Sequence, residues 1–189
     1  TFTGIVTIPT PFTLGATSTD FIIDSIDFTE AGADLNWLNR IVTGSTNNAS
    51  DGLTVKNCYS YGIDLLGTAF VSILGNCDRV LLTDNIVITG STVDAGQFLI
   101  CSSKVLLGAR VLRNWLYLTG AVSGATVGLF QTGSSTTSTG VFGFNLVNSI
   151  DTTGALFNTT GQGFALQENY VSGAVDKQGT LHPAADNPA

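Results

Sequence analysis

Short apolar runs alternate with clusters of Gly, Ser, Thr and Asn through the middle of this chain, and five of the runs lead into an asparagine. These are Asn57, Asn85, Asn114, Asn145 and Asn169, at intervals of 28, 29, 31 and 24 residues, with Asp27 standing 30 residues before Asn57. A period near 30 with one supersecondary unit per repeat marks a solenoid, in which each unit buries its apolar side only against its neighbours. Superimposed on the asparagine, the repeats give two apolar columns. One lies two residues after it (Tyr59, Val87, Leu116, Val147, Val171) and one three residues before it (Thr54, Leu82, Val111, Phe142, Leu166). Both columns are expected to face inward. The residue just before the asparagine (Lys56, Asp84, Arg113, Phe144, Glu168) is expected to face solvent or a partner.

Further apolar runs predict two more strands per repeat: 63–66 with 70–74, 97–101 with 104–107, and 127–131 with 141–144. Three short strands per turn, closed by Gly, Asn, Ser and Thr, is the pattern of an all-β, right-handed parallel β-helix of about five to six coils. A leucine-rich repeat needs Leu and Asn at fixed short offsets, and a helical array needs a 3.6-residue period; the chain has neither. The Asn57, Asn85, Asn114, Asn145 and Asn169 series reads as a structural ladder, because amides stacked at a sharp corner satisfy backbone groups that would otherwise be buried unpaired. The solenoid is expected over residues 20–179. Residues 1–19, which contain Pro9 and Pro11, read as a cap, an edge or a connection to an upstream segment; residues 180–189, with Pro183, Pro188 and His182, read as a tail.

Composition sharpens this picture. Of 189 residues only 11% are charged and 22 are Gly, against roughly 25% charge in ordinary soluble domains, and the mean hydropathy is +0.32. Such a chain either coats its surface with hydroxyls and amides or covers it with partner chains. The net charge of −7 repels phosphate backbones, which argues against nucleic acid as a partner. No apolar run approaches the roughly 18 residues needed to cross a bilayer as a helix, so no membrane partner is expected. Cys58, Cys77 and Cys101 are odd in number, lie in apolar stretches and match no metal spacing, which reads as buried free thiols and no metal site.

Candidate chemistry is sparse. Glycoside cleavage needs two carboxyl groups across a cleft, and the columns searched for them are Asp20, Asp51 and Asp78, and Asp34, Asp64 and Asp94 with Asp151 and Asp176. Asp51 and Asp78 are the best catalytic candidates, although aspartates in turn sequence chiefly cap the turn itself. No nucleophile elbow, phosphate loop or dinucleotide fingerprint is present, and no cofactor is expected. Tyr59, Tyr61, Trp115, Tyr117 and Tyr170 cluster around one corner in successive repeats; they are candidates for stacking sugar rings, for a subunit interface or for core filling.

The repeated strand, Asn corner and strand units from Gly52 to Gly173 resemble the right-handed parallel β-helix of the pectate-lyase-like superfamily. Segments such as DNIVITGSTVDAGQFLICSS, RNWLYLTG and ENYVSGAVDKQGTLHP are similar to structural proteins of tailed bacteriophages. The resemblance implies a homotrimer on the virion, made in the host cytoplasm, as a spike, fibre or capsid decoration in contact with other virion proteins. It also implies host or surface polysaccharide as a ligand, and a polysaccharide-degrading or polysaccharide-binding tailspike module as the alternative reading.

Overall fold

The structure is a computed structural model describing residues 12–15, 17–29, 39–61, 69–89, 97–101, 104–118, 128–132, 138–149, 155–157 and 163–172. The chain opens with β1 (Phe12–Thr13), β2 (Ile22–Asp24) and β3 (Asp27–Thr29). The next turn holds β4 (Asn39–Val42), β5 (Thr54–Lys56) and β6 (Tyr59–Tyr61). It is followed by β7 (Ala69–Ser72), a short β8 (Cys77–Asp78), β9 (Leu81–Thr83) and β10 (Ile86–Thr89). Then come β11 (Gln97–Cys101), a short β12 (Leu106–Leu107), β13 (Ala109–Leu112) and β14 (Trp115–Leu118). The last strands are β15 (Gly128–Thr132), β16 (Thr139–Gly143), β17 (Leu146–Ser149), β18 (Ala155–Phe157), β19 (Gly163–Gln167) and β20 (Tyr170–Ser172).

These strands form three six-stranded sheets, each taking one strand per turn: β1-β4-β7-β11-β15-β18, β2-β5-β9-β13-β16-β19 and β3-β6-β10-β14-β17-β20. They are called the first, second and third sheet below. All their pairings are parallel, and β8 pairs β12 as a small separate ladder. The protein is an all-β, parallel β-solenoid, with no helix among the described residues. The strand expected at 97–101 is β11; that expected at 141–144 begins earlier and stops at Gly143, while 63–66 and the tail lie outside the described residues. Phe12–Thr13, within the expected N-terminal cap, forms an edge strand of the first sheet.

Left-handed corners bend the chain around the second sheet, among the described residues two in each of the first four turns and one in each of the last two. Asp20, Gly52, Arg79 and Gly108 (φ 53°, 73°, 58° and 63°) precede it, and Ser25, Asn57, Asp84, Arg113, Phe144 and Glu168 (φ 57°, 53°, 57°, 53°, 58° and 42°) follow it. A single residue in the left-handed region turns the backbone sharply, which favours Gly, Asn and Asp. The corner backbone is then bonded from the adjacent turn, as in Asp84 N–H to Leu112 O at 3.2 Å and Arg113 N–H to Gly143 O at 3.1 Å.

The asparagine ladder stands immediately beyond the second corner. Asn85, Asn114 and Asn145 are at most 3% exposed. Each Oδ1 accepts the N–H of the residue one turn earlier: Cys58 to Asn85 at 3.0 Å, Asn85 to Asn114 at 3.1 Å, Asn114 to Asn145 at 2.9 Å and Asn145 to Asn169 at 3.1 Å. Each Nδ2 donates to a carbonyl of the earlier turn, Val55, Leu82, Val111 and Phe142 at 2.9–3.0 Å. From Asn85 to Asn145 the amides also bond one another at 2.9–3.0 Å.

Asn57 is not a rung of this ladder, which corrects the expected alignment by one residue. Asn57 occupies the left-handed corner at φ 53°, is exposed and donates from Nδ2 to Asp24 Oδ1 at 2.9 Å. The ladder position in its turn belongs to Cys58. A one-residue slip in a strand sends every side chain to the opposite face. The inward column is therefore Ile23, Val55, Leu82, Val111 and Phe142, all at most 2% exposed, and Thr54 points out. The column beyond the ladder is Phe28, Ser60, Val87, Leu116 and Val147, and Tyr59 points out.

Arg40 explains the polar Ser60 in that column. It is fully buried on β4 in register with Phe70 and Phe98. Its guanidinium crosses to the third sheet, donating from Nε to Ser60 Oγ at 3.3 Å and from Nη2 to Tyr61 O at 2.9 Å. Next to it runs an aromatic series: Phe12 edge-on to Phe28 (5.8 Å), Phe28 edge-on to Phe70 (5.8 Å) and Phe70 stacked on Phe98 (5.5 Å). Successive strand residues point to opposite faces, yet Ala69, Phe70, Val71 and Ser72 are all buried, as are Phe98, Leu99 and Cys101. In these turns the first sheet is covered on both faces.

Candidate functional site

The uncovered walls of the solenoid are the outer faces of the second and third sheets. On the third sheet, strand pairing stacks Asp27, Tyr59, Ile86, Trp115, Leu146 and Tyr170 in one outward column. Tyr61, Ile88 and Tyr117 form a second column beside it. All five aromatics singled out in the sequence therefore share one sheet, and they occupy its strands on alternate turns: Tyr59 and Tyr61 on β6, Trp115 and Tyr117 on β14, Tyr170 on β20. Two strand spacings separate successive members by about 9.6 Å. Tyr61, Trp115 and Tyr170 are 44%, 44% and 64% exposed, and Ile86 between them is 37% exposed. A contiguous column of this kind costs hydration free energy in water and marks an interaction surface on soluble proteins.

On the second sheet the outward column is Ile22, Thr54, Leu81, Arg110, Val141 and Ala165, with Ile22 at 60% exposure. The left-handed corner separates the two faces and carries the local charge. Arg113 grips Asp84 through Nε to Oδ1 and Nη2 to Oδ2, both at 2.8 Å, and Nη2 also donates to Thr83 Oγ1 at 3.0 Å. This guanidinium holds the Asp84 carboxyl below its ordinary range. One edge further on, Asn57, Ser25 and Lys56 act together, in that order of weight, to lower Asp24, with Lys56 Nζ 3.2 Å from its Oδ2. Asp84 and Arg113 are neighbours in the corner column, and Phe144 continues it at 50% exposure. Lys56 stands one residue before the corner, in register with Thr83, so the expected Lys56, Asp84 and Arg113 edge is corrected by the same one-residue slip, with Asn57 in the place expected for Lys56.

Asp51 and Asp78 lie on adjacent turns before the second sheet, and Asp51 Oδ1 accepts the Asp78 N–H at 2.9 Å. That is a turn-capping use of the carboxylate, and the neighbouring Asp20 lies 3.6 Å from Arg79. The other aspartate column, Asp34, Asp64, Asp94, Asp151 and Asp176, lies outside the described residues. Among the described residues no three His, Cys, Asp or Glu side chains are grouped as metal ligands. Cys58, Cys77 and Cys101 are buried and form no disulfide; burial pushes the Cys77 thiol up to about 12 and raises Cys58 as well, which removes from these two the thiolate that nucleophilic chemistry needs.

No family model, curated protein or solved structure matches the chain.

A second polar series escaped the sequence reading. Asn47 Oδ1 accepts the Asn76 N–H at 3.1 Å, and Asn76 Oδ1 accepts the Val105 N–H at 3.0 Å. Higher up, hydroxyls replace the amides, with Ser138 Oγ accepting from Leu106 N–H and Thr139 Oγ1 from Gly108 N–H. The signal was there, because Asn47 and Asn76 are 29 residues apart, the same period as the main ladder.

Proposed function

We propose that this chain is a structural protein of a phage-type virion, a spike, fibre or capsid decoration, working as a homotrimer of parallel solenoids. The observation that carries the reading is the outward column of the third sheet, where Ile86, Trp115 and Tyr170 are 37–64% exposed on a wall with few charges. Contact with a partner chain removes that surface from water. The virion setting rests on the resemblance of the repeats to tailed-phage structural proteins, and other virion proteins are then its further partners. A solenoid with no free edge between turns, closed into a trimer, predicts an assembly that migrates as a trimer on a detergent gel without boiling and as a single chain after boiling. Migration as a single chain in both lanes overturns the proposal.

One observation favours polysaccharide as the ligand in a second reading. The aromatics recur on alternate strands about 9.6 Å apart, close to the disaccharide repeat of an extended β-linked polysaccharide, and exposed Trp and Tyr rings stack on sugars. In this reading the chain is a polysaccharide-binding module, with degradation resting on Asp51 or Asp78. Addition of such a polysaccharide then shifts the fluorescence contributed by Trp115, measured as the difference between wild type and Trp115→Phe. An unchanged difference spectrum removes this reading.

A further inference from the structure

Resting on the trimer reading, we infer which surfaces meet: the second-sheet face of one copy packs on the third-sheet face of the next, closing a ring around the corner column that holds Phe144. A three-fold axis along the solenoid keeps equal turns at equal height and joins two different faces at each contact. Height can therefore be read directly from the strand register. Thr54, Arg110 and Ala165 of the second-sheet column stand on the same turns as Tyr59, Trp115 and Tyr170 of the third. Each large ring thus meets a small or cationic residue, and the turns between bring branched aliphatics together. Arg110, the one cation in either column, faces Trp115, the pairing that cation–π attraction favours.

The areas point the same way. Six strands of about four residues make each face roughly 29 by 13 Å, on the order of 400 Å². A stable two-body interface takes about 800 Å² from each partner, so a dimer using one face per copy falls well short; in a ring each contact is no larger, but every copy buries both faces, about 800 Å² in all. Phe144 supplies a separate argument. Its φ of 58° lies in a region that bulky side chains avoid, and the residue is 50% exposed. The other corners of that column hold Ser25, Asn57, Asp84, Arg113 and Glu168. Strain held at one position points to a role there. At the hub of the ring, three Phe144 side chains converge and leave water together.

The test joins Ala165→Cys with Tyr170→Cys, both exposed positions, in a chain whose own thiols are buried. Under mild oxidation the double variant is expected to form a covalent ladder ending at three chains on a non-reducing gel, and neither single variant does so. Sedimentation of the unoxidised protein separates the possible failures. A trimer that does not cross-link overturns this face assignment and leaves the trimer reading standing. Cross-linking of Tyr170→Cys alone, stopping at two chains, means third sheets pack on each other and overturns it as well. A monomer overturns both, and a monomer that binds extended polysaccharide through Trp115 gives the face to a glycan. Phe144→Asn, which suits the left-handed corner, is expected to keep the β-sheet circular dichroism while raising the trimer's dissociation concentration at least tenfold. An unchanged dissociation concentration removes Phe144 from the hub.

Discussion

Asn114 is the position where the ladder can be tested most sharply. Its side chain is 1% exposed and makes four hydrogen bonds. Oδ1 accepts from the Asn85 N–H at 3.1 Å and Asn85 Nδ2 at 2.9 Å; Nδ2 donates to Leu82 O and Asn145 Oδ1, both at 3.0 Å. Replacement by Ala orphans two donors on Asn85, itself fully buried. At about 1–3 kcal/mol for each buried group left unpaired, Asn114→Ala costs about 2–6 kcal/mol. That is a large share of the roughly 5–15 kcal/mol by which a domain is stable. Asn57→Ala provides the contrast, because Asn57 is exposed and its replacement costs only about 1 kcal/mol for placing Ala in the left-handed region. Asn57→Gly should be neutral or better there. The assay is urea unfolding followed by circular dichroism at one fixed chain concentration, since assembly makes stability depend on concentration. The midpoint of Asn114→Ala should fall much further than that of Asn57→Ala, with similar slopes. Equal losses, or a larger one at Asn57, would show that the ladder register is wrong.

Arg40→Ala leaves Tyr61 O and Ser60 without the guanidinium and opens a void beside Phe70; it should cost about 2–5 kcal/mol in the same titration, and Arg40→Met with Ser60→Ala should recover most of the loss. The raised Cys77 thiol gives a pH dependence of defined sign. Between its ordinary value of 9.0 and about 12 the unfolded chain has lost the proton that the folded chain keeps, so stability is complete below pH 9 and falls as pH rises through that window; Cys77→Ala should flatten the fall of the urea midpoint between pH 8.5 and 10.5. Asp84 has the opposite sign. Its lowered folded value contributes stability above the ordinary 3.8 that is lost as pH falls below it, so Asp84→Asn should flatten the fall of the urea midpoint on acidification below about pH 4. Gly75→Ala places a methyl carbon 2.5 Å from Thr46 O, a backbone atom, and should lower the melting temperature by several degrees where Gly108→Ala, with open space around it, is penalised only by its positive φ.

The solenoid was legible because its period is carried by chemistry that each turn repeats: an apolar inward residue, a left-handed corner and an amide that bonds the corner of the turn before. The alignment slipped at Asn57 because two neighbouring niches accept the same residue type. The left-handed corner favours Asn for its backbone, the ladder favours Asn for its amide, and in this turn Asn fills the first while Cys58 fills the second. Ser60 hid the slip, since a hydroxyl at an inward position makes sense only beside Arg40, which is 20 residues away in sequence and has no local signature. The aromatic face was visible as a set of residues, but its two columns depend on strand register, which the slip had disturbed at Tyr59. Asp51 was expected to cap its own turn, but its Oδ1 takes the Asp78 N–H 27 residues on, a partner that only the stacking of turns supplies. The covering of both faces of the first sheet was not, because Ala69–Ser72 shows the same short apolar run as a strand buried on one face only.

The central claim is that the exposed walls of this solenoid are made for copies of itself, and the native mass tests it most directly. Light scattering of the purified chain, over a dilution series and again after mild heating in detergent, should give three times the mass of the 189-residue chain throughout. A single-chain mass at every concentration would contradict the account.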